Sequence, residues 1–220
     1  MQNLKVAITG HTRGIGEGFA NYFKDQDVHG FSKSNGWDLT RNESLEALVH
    51  NLKDFDILVN SAPIGVNQLK LFDKVFEQWE GKDKSIINIS SIGGDMDDKI
   101  IRDFQDYYIE KLDGGDNAHF PSVLDLETYI YNKVNLDKSA SSKVLDTNLR
   151  QKGLPYILNL KSGAVDTKFL HAGPSNLMKH YLTVEEFMKV FDTIWQVKDI
   201  ARITSVTFLG NNEVNGIWQS

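Results

Sequence analysis

The stretch Leu4–Gly18 constrains the fold more than any other part of this 220-residue chain. Leu4-Lys5-Val6-Ala7-Ile8 is an apolar run with β-branched residues. It passes into Thr9-Gly10-His11-Thr12-Arg13-Gly14-Ile15-Gly16 and then into a helical pattern in which Ile15, Phe19, Tyr22 and Phe23 recur. A strand feeding a glycine turn and a helix N-terminus makes an anion site. Backbone N–H groups and the helix dipole point at whatever lies over the turn, and glycine lets a diphosphate come close. The loop reads as the pyrophosphate cradle of a dinucleotide.

Strand and helix signals alternate through most of the remaining chain, which predicts an α/β fold: a doubly wound parallel sheet of Rossmann type in three αβα layers. Short apolar runs at 28–31, 55–59, 85–89, 156–160 and 203–209 read as strands. Apolar positions at helical spacing predict helices through Leu45–Leu52, through Leu69–Trp79, over about 126–151, and through Phe187–Trp195. Thr40 with Glu43 and Thr183 with Glu186 match the capping box, and Gly81 is placed to stop a helix. The rhythm fails at 95–123, an acidic, mixed stretch expected to be an irregular insertion near a substrate site. With no repeat, low-complexity tract or linker, residues 1–220 read as a single domain.

Composition narrows the function classes. A net charge of −6 argues against non-specific nucleic-acid binding. No apolar stretch approaches the ~18 residues of a membrane span, and a strand beginning near residue 4 argues against a signal peptide. The absence of cysteine excludes disulfides and thiolate metal sites and fits a cytoplasmic setting. The six histidines show no metal spacing, and Asp95, Asp97 and Asp98 read as a solvated loop, so no metal is expected.

Five stations in one order resemble the short-chain dehydrogenase/reductase family. Thr9–Gly16 is similar to its Thr-Gly-x-x-x-Gly-x-Gly cofactor loop, and Asn60-Ser61-Ala62-Pro63 to an altered Asn-Asn-Ala-Gly turn. Ile87-Asn88-Ile89-Ser90-Ser91 resembles the strand that delivers the family's serine. Tyr129-Ile130-Tyr131-Asn132-Lys133 matches Tyr-x-x-x-Lys. Ser162-Gly163-Ala164-Val165-Asp166-Thr167 resembles Pro-Gly-x-Val-x-Thr, with serine for proline. The chain also departs from the family. Its second strand reaches Asp38 early, so one helix and most of one strand are trimmed. One helix stands where two are usual between Asn60 and Ser91, and Ser91 lies 38 residues before Tyr129, far more than usual, with 95–123 taking up the excess.

The resemblance implies hydride transfer between a nicotinamide and a carbonyl or alcohol carbon of a small-molecule substrate. Tyr129 is then the acid/base, Ser91 the partner of the substrate oxygen, and Lys133 the holder of the nicotinamide ribose. Asn67 is the candidate for a fourth residue supporting a water chain. Tyr129 and Lys133 are four apart and share a helix face, and an ammonium near a phenol lowers its pKa. Tyr107 and Lys111 make a second Tyr-x-x-x-Lys, but only the span from Lys133 to Gly163 holds one helix, a turn and a strand.

The implied cofactor contacts begin with Gly10, Thr12, Arg13, Gly14, Ile15 and Gly16 in the loop, and Ser32, Lys33, Ser34, Asp38 and Leu39 on the adenosine side. Asn60, Ser61 and Ala62, Tyr129 and Lys133, and Gly163, Val165 and Thr167 complete the set. Two hydroxyls and a cation end the second strand where NAD binders usually carry an acid. With Arg13, these resemble NADP-preferring members, leaving NAD the less favoured cofactor. Asp38, by spacing a rival ribose ligand, is taken instead as the adenine-side acid of an Asp-x-Thr station. The alternative function is a non-catalytic dinucleotide-binding protein, redox-sensing or structural, which the trimmed elements and the altered turn favour. The resemblance also implies a homodimer or homotetramer paired through the helix of Tyr129 and the helix before the serine strand.

Overall fold

The computed structural model describes residues 3–92, 123–149, 154–163, 165 and 182–209. The apolar runs become six parallel strands: β1 Lys5–Thr9, β2 Asp27–Phe31, β3 Ile57–Asn60, β4 Ser85–Ser91, β5 Tyr156–Ser162 and β6 Ser205–Phe208. They form one sheet in the order β2-β1-β3-β4-β5-β6. The helices are α1 Gly14–Tyr22, α2 Asn42–Asn51, α3 Val66–Trp79, α4 Val123–Leu149 and α5 Val184–Gln196.

The central strands are apolar on both faces, as burial between two helix layers requires. Val6, Ile8, Ile57, Val59, Ile87 and Ile89 face α1 and α5, whose Phe19, Phe23, Phe187 and Phe191 close that core. The rings of Phe19 and Phe191 meet edge-on at 4.7 Å. Ala7, Leu58, Ile86 and Ile157 face α2, α3 and α4, which supply Leu45, Leu48, Phe72, Val75, Trp79, Leu136 and Ala140.

Toward the C-terminal strand ends the second face changes character. The register that pairs Leu58 with Ile86 and Ile86 with Ile157 next pairs Asn60 with Asn88 and Asn88 with Asn159. These three buried amides bond in series: Asn60 Nδ2 donates to Asn88 Oδ1 at 3.0 Å, and Asn88 Nδ2 to Asn159 Oδ1 at 2.9 Å. Buried polar groups are retained where they satisfy one another, and here they form a polar row beneath the strand ends.

Several sequence expectations meet the structure here. Between β2 and β3 stand only α2 and two 3-10 turns, Lys33–Asn35 and Leu52–Asp54, so β2 ends the sheet among the described residues. Only α3 joins β3 to β4. Gly81, at φ +73°, follows α3 as its stop. The Thr183–Glu186 capping box is complete. The Thr40–Glu43 box is not formed. Asp38 instead accepts from both the hydroxyl and the N–H of Thr40, and α2 starts only at Asn42 with Arg41 as its uncapped N-cap. Of the insertion expected over 95–123, residues 95–122, including Tyr107 and Lys111, lie outside the described residues, and Val123 already opens α4.

Candidate active site

The glycine loop joins β1 to α1 through backbone contacts alone. Gly10 has φ +69°, and a Cβ there would lie 3.2 Å from Ala62 Cα. At Gly16 a Cβ would come within 2.2 Å of the Gly10 carbonyl oxygen, so no side chain can separate helix from loop. Thr9 fastens the loop to the turn after β3, its Oγ1 accepting from Ser61 N at 2.9 Å and Ala62 N at 3.0 Å. Thr12 and Arg13 are exposed at the rim, Gly14 opens α1, and Ile15 tucks into the core below. This backbone rim at a helix N-terminus fits the diphosphate of a dinucleotide. Beside it the His11 ring lies over Gly30 of β2, where a Cβ would come within 2.1 Å of the ring.

The adenosine-side residues gather at the end of β2. Ser32 and Ser34 share a hydroxyl hydrogen bond of 2.8 Å, and Ser32 N donates to Asn35 Oδ1. Lys33 and Asp38, the two rivals for this corner, stand together with Nζ 3.4 Å from Oδ2. The Thr40 hydroxyl, with help from its N–H and from Lys33, holds the Asp38 carboxyl below the ordinary carboxylate range. Leu39 is buried. Its carbonyl and that of Thr40 accept from Asn67 Nδ2 at 2.9 and 3.0 Å.

Ser91, Tyr129 and Lys133 come together at the C-terminal end of β4. The Tyr129 phenol and the Ser91 side chain are hydrogen-bonded, and Lys133 Nζ lies 5.4 Å from the Tyr129 ring centre. The direction of the phenol's shift differs from the one expected. Lysine was to lower the phenol's pKa, yet burial raises it, against the Ser91 hydrogen bond and with Asp137 pushing the same way. The cause is enclosure. The phenol is itself taken out of water, and Lys133 beside it is only 4% exposed, its own pKa lowered by desolvation from 10.5 to about 8. Gly163 N donates to Phe208 O at 2.9 Å, and buried Val165 pairs with Leu182. Thr167 lies outside the described residues.

Asn67 does not meet Lys133, and its neighbour does. Lys133 Nζ donates to Gln68 Oε1 and to the Ile89 carbonyl, both at 2.8 Å. Gln68 Nε2 donates to the carbonyls of Asn60 and Ile89 at 2.9 and 3.0 Å, so the amide can present only its oxygen to the ammonium. Sequence reasoning missed Gln68. It also missed Asp137, Asn159 and Lys161, where Asn159 Nδ2 reaches Asp137 Oδ1 at 3.5 Å and Lys161 Nζ lies 3.6 Å from Asp137 Oδ2. Asp137 alone carried a signal, standing four residues beyond Lys133 on the same helix face. Among the described residues no group of three or more His, Cys, Asp or Glu is arranged to hold a metal, and no helix is long and apolar enough to cross a membrane.

No family model and no curated protein sequence matches the chain. Solved structures do. The 3-alpha-hydroxysteroid dehydrogenase from Pseudomonas sp. B-0831, complexed with NADH, superposes with a TM-score of 0.65 at 15% identity, covering 98% of this chain and 99% of its own. A short-chain dehydrogenase from Burkholderia cenocepacia J2315 in complex with NADP gives 0.65 at 14% identity, covering 96% and 98%. The bulky-bulky ketone specific alcohol dehydrogenase from Comamonas testosteroni gives 0.62 at 19% identity, covering 97% and 90%. The fold is that of the short-chain dehydrogenases and reductases.

Proposed function

We propose that the chain is an NADP(H)-dependent oxidoreductase of the short-chain type, acting on a small-molecule carbonyl or alcohol. The observation that carries this reading is the meeting of Ser91, Tyr129 and Lys133 beside a side-chain-free glycine cradle on one edge of the sheet. Bound there, the nicotinamide supplies or accepts the hydride. Tyr129 holds the proton. Burial favours its neutral phenol, the form that donates to a carbonyl oxygen. Ser91 orients that oxygen through the hydroxyl it already shares with Tyr129. Lys133 has three N–H donors and gives two to Gln68 and Ile89, leaving one for a ribose hydroxyl.

The preference for NADP over NAD rests on two exposed cations, Arg13 in the glycine loop and Lys33 between the hydrogen-bonded Ser32 and Ser34. A homodimer or homotetramer through α3 and α4 goes with this reading, and α4 shows exposed Tyr131, Leu145 and Leu149. So does a cytoplasmic setting, which suits a cysteine-free chain.

The alternative, a redox-sensing or structural dinucleotide binder, is favoured by the raised phenol of Tyr129 and the Pro63 turn. The deciding experiment follows NADPH oxidation by the purified protein against aldehydes, ketones and quinones, with Tyr129→Phe as control. The expected outcome is turnover that falls by about 10²- to 10⁴-fold in the variant, while nucleotide binding by fluorescence titration is kept. Binding with no turnover across the panel moves the weight to the alternative, and absence of binding overturns both.

A further inference from the structure

Lys133 is not alone in its enclosure. Tyr129, Lys133 and Asp137 follow one another at four-residue steps along α4, so one stripe of the helix faces the polar row of the sheet. Asp137 is 5% exposed, receives Asn159 Nδ2 at 3.5 Å, and pairs with the Lys161 ammonium at 3.6 Å. Lys161 stands two residues beyond Asn159 on the same face of β5, in register with Ser90. Among the described residues the charged groups acting on the carboxylate are Lys133 from α4 and Lys161 from β5, with Tyr129 another titratable group. The adjoining side chains of β4 and α3, Asn88, Ser90 and Gln68, are neutral. One buried carboxylate thus touches the Lys161 ammonium and acts through space on that of Lys133.

We propose that Asp137 is a positioning residue of the site: it is the counter-ion that keeps Lys133 an ammonium in its hydrogen-bonded place, and Lys161 competes for the same carboxylate. The inference rests on the catalytic reading of Tyr129 and Lys133 above. A buried cation with no compensating charge is costly, and the group neutralises instead. Gln68 and Ile89 supply dipoles to Lys133 but no charge, and Asp137 acts against the desolvation that lowers it. Removing the carboxylate and removing its competitor should therefore move Lys133 in opposite directions. A merely structural role for Asp137 gives no such opposition.

The test reads Lys133 directly. Protein labelled with [ε-¹³C]lysine is titrated by NMR, with the Lys133 signal assigned by its loss in Lys133→Met. In the parent this signal should titrate near the value of about 8 given above. Asp137→Asn should lower that midpoint by about one unit or more, and Lys161→Met should raise it. The basic limb of the pH profile for NADPH oxidation should move in the same two directions, and Asp137→Glu should restore it. An unchanged midpoint in both variants, or shifts of the same sign, overturns the proposal. Where Asp137→Asn does not fold, Lys161→Met decides alone: an upward shift supports the proposal and no shift overturns it. The titration needs no turnover. Opposed shifts in a protein without activity therefore uphold the counter-ion and defeat the catalytic reading instead.

Discussion

Lys33 and Asp38 are read as opponents in the sequence, one favouring a 2′-phosphate and the other a ribose hydroxyl, yet they stand as an ion pair at 3.4 Å. The pair leaves Arg13 as the cation on the loop side, and a 2′-phosphate would draw Lys33 from Asp38 by offering it a more highly charged partner. Arg13→Ala combined with Lys33→Ala should bring the affinities for NADPH and NADH together, as read by fluorescence titration. Equal affinities in the parent protein would refute the preference. The fourth site residue shows where reading by residue type gives out. Consecutive helix positions point about 100° apart, so Asn67 turns to the carbonyls of Leu39 and Thr40 while Gln68 turns to Lys133. The candidate was the asparagine, and the residue whose side chain meets Lys133 is the glutamine beside it.

The two Thr-x-x-Glu sequences are alike as motifs and differ as structure. Thr183 accepts from Glu186 N at 3.1 Å while Glu186 reaches back to Thr183 N at 2.8 Å, and α5 begins there. Thr40 is held by Asp38 two residues before it, a local competitor that offers the backbone a turn in place of a helix start. Thr183→Ala should cost about 1 kcal/mol of stability in urea unfolding, and Thr40→Ala distinctly less. Equal losses would show that the Thr183 cap contributes nothing particular to α5. Most elements were legible because their periodicity is long and regular: α3 and α5 bury the apolar stripes expected of them. Their ends were not, since β3 runs through Asn60 and β4 through Ser91. Those extra residues are polar ones that the backbone register with the neighbouring strand keeps in the sheet.

For the molecule as a whole, alternation of strand and helix was enough to predict a parallel sheet with two helix layers. The polar row was not legible, because Asn60, Asn88 and Asn159 are scattered along the sequence and only sheet register makes them neighbours. The enclosure they create has a thermodynamic signature. Desolvation places Lys133 near 8 in the native protein, below its ordinary 10.5. Between those values the unfolded chain binds more protons than the native one, so this residue's contribution to stability improves as pH rises through that window and is flat below it. Stability of the parent relative to Lys133→Met should accordingly increase from neutral pH toward about 10, measured as urea unfolding at fixed temperature. A difference independent of pH would count against the enclosure. The same row also joins parts of the chain made at different times. During synthesis β1 to β4 leave the ribosome well before β5, and until Asn159 and Lys161 arrive the amide of Asn88 lacks the Asn159 acceptor and Asp137 lacks its contacts with Asn159 and Lys161. The charge balance around Lys133 is therefore completed only when the second half of the chain has been made.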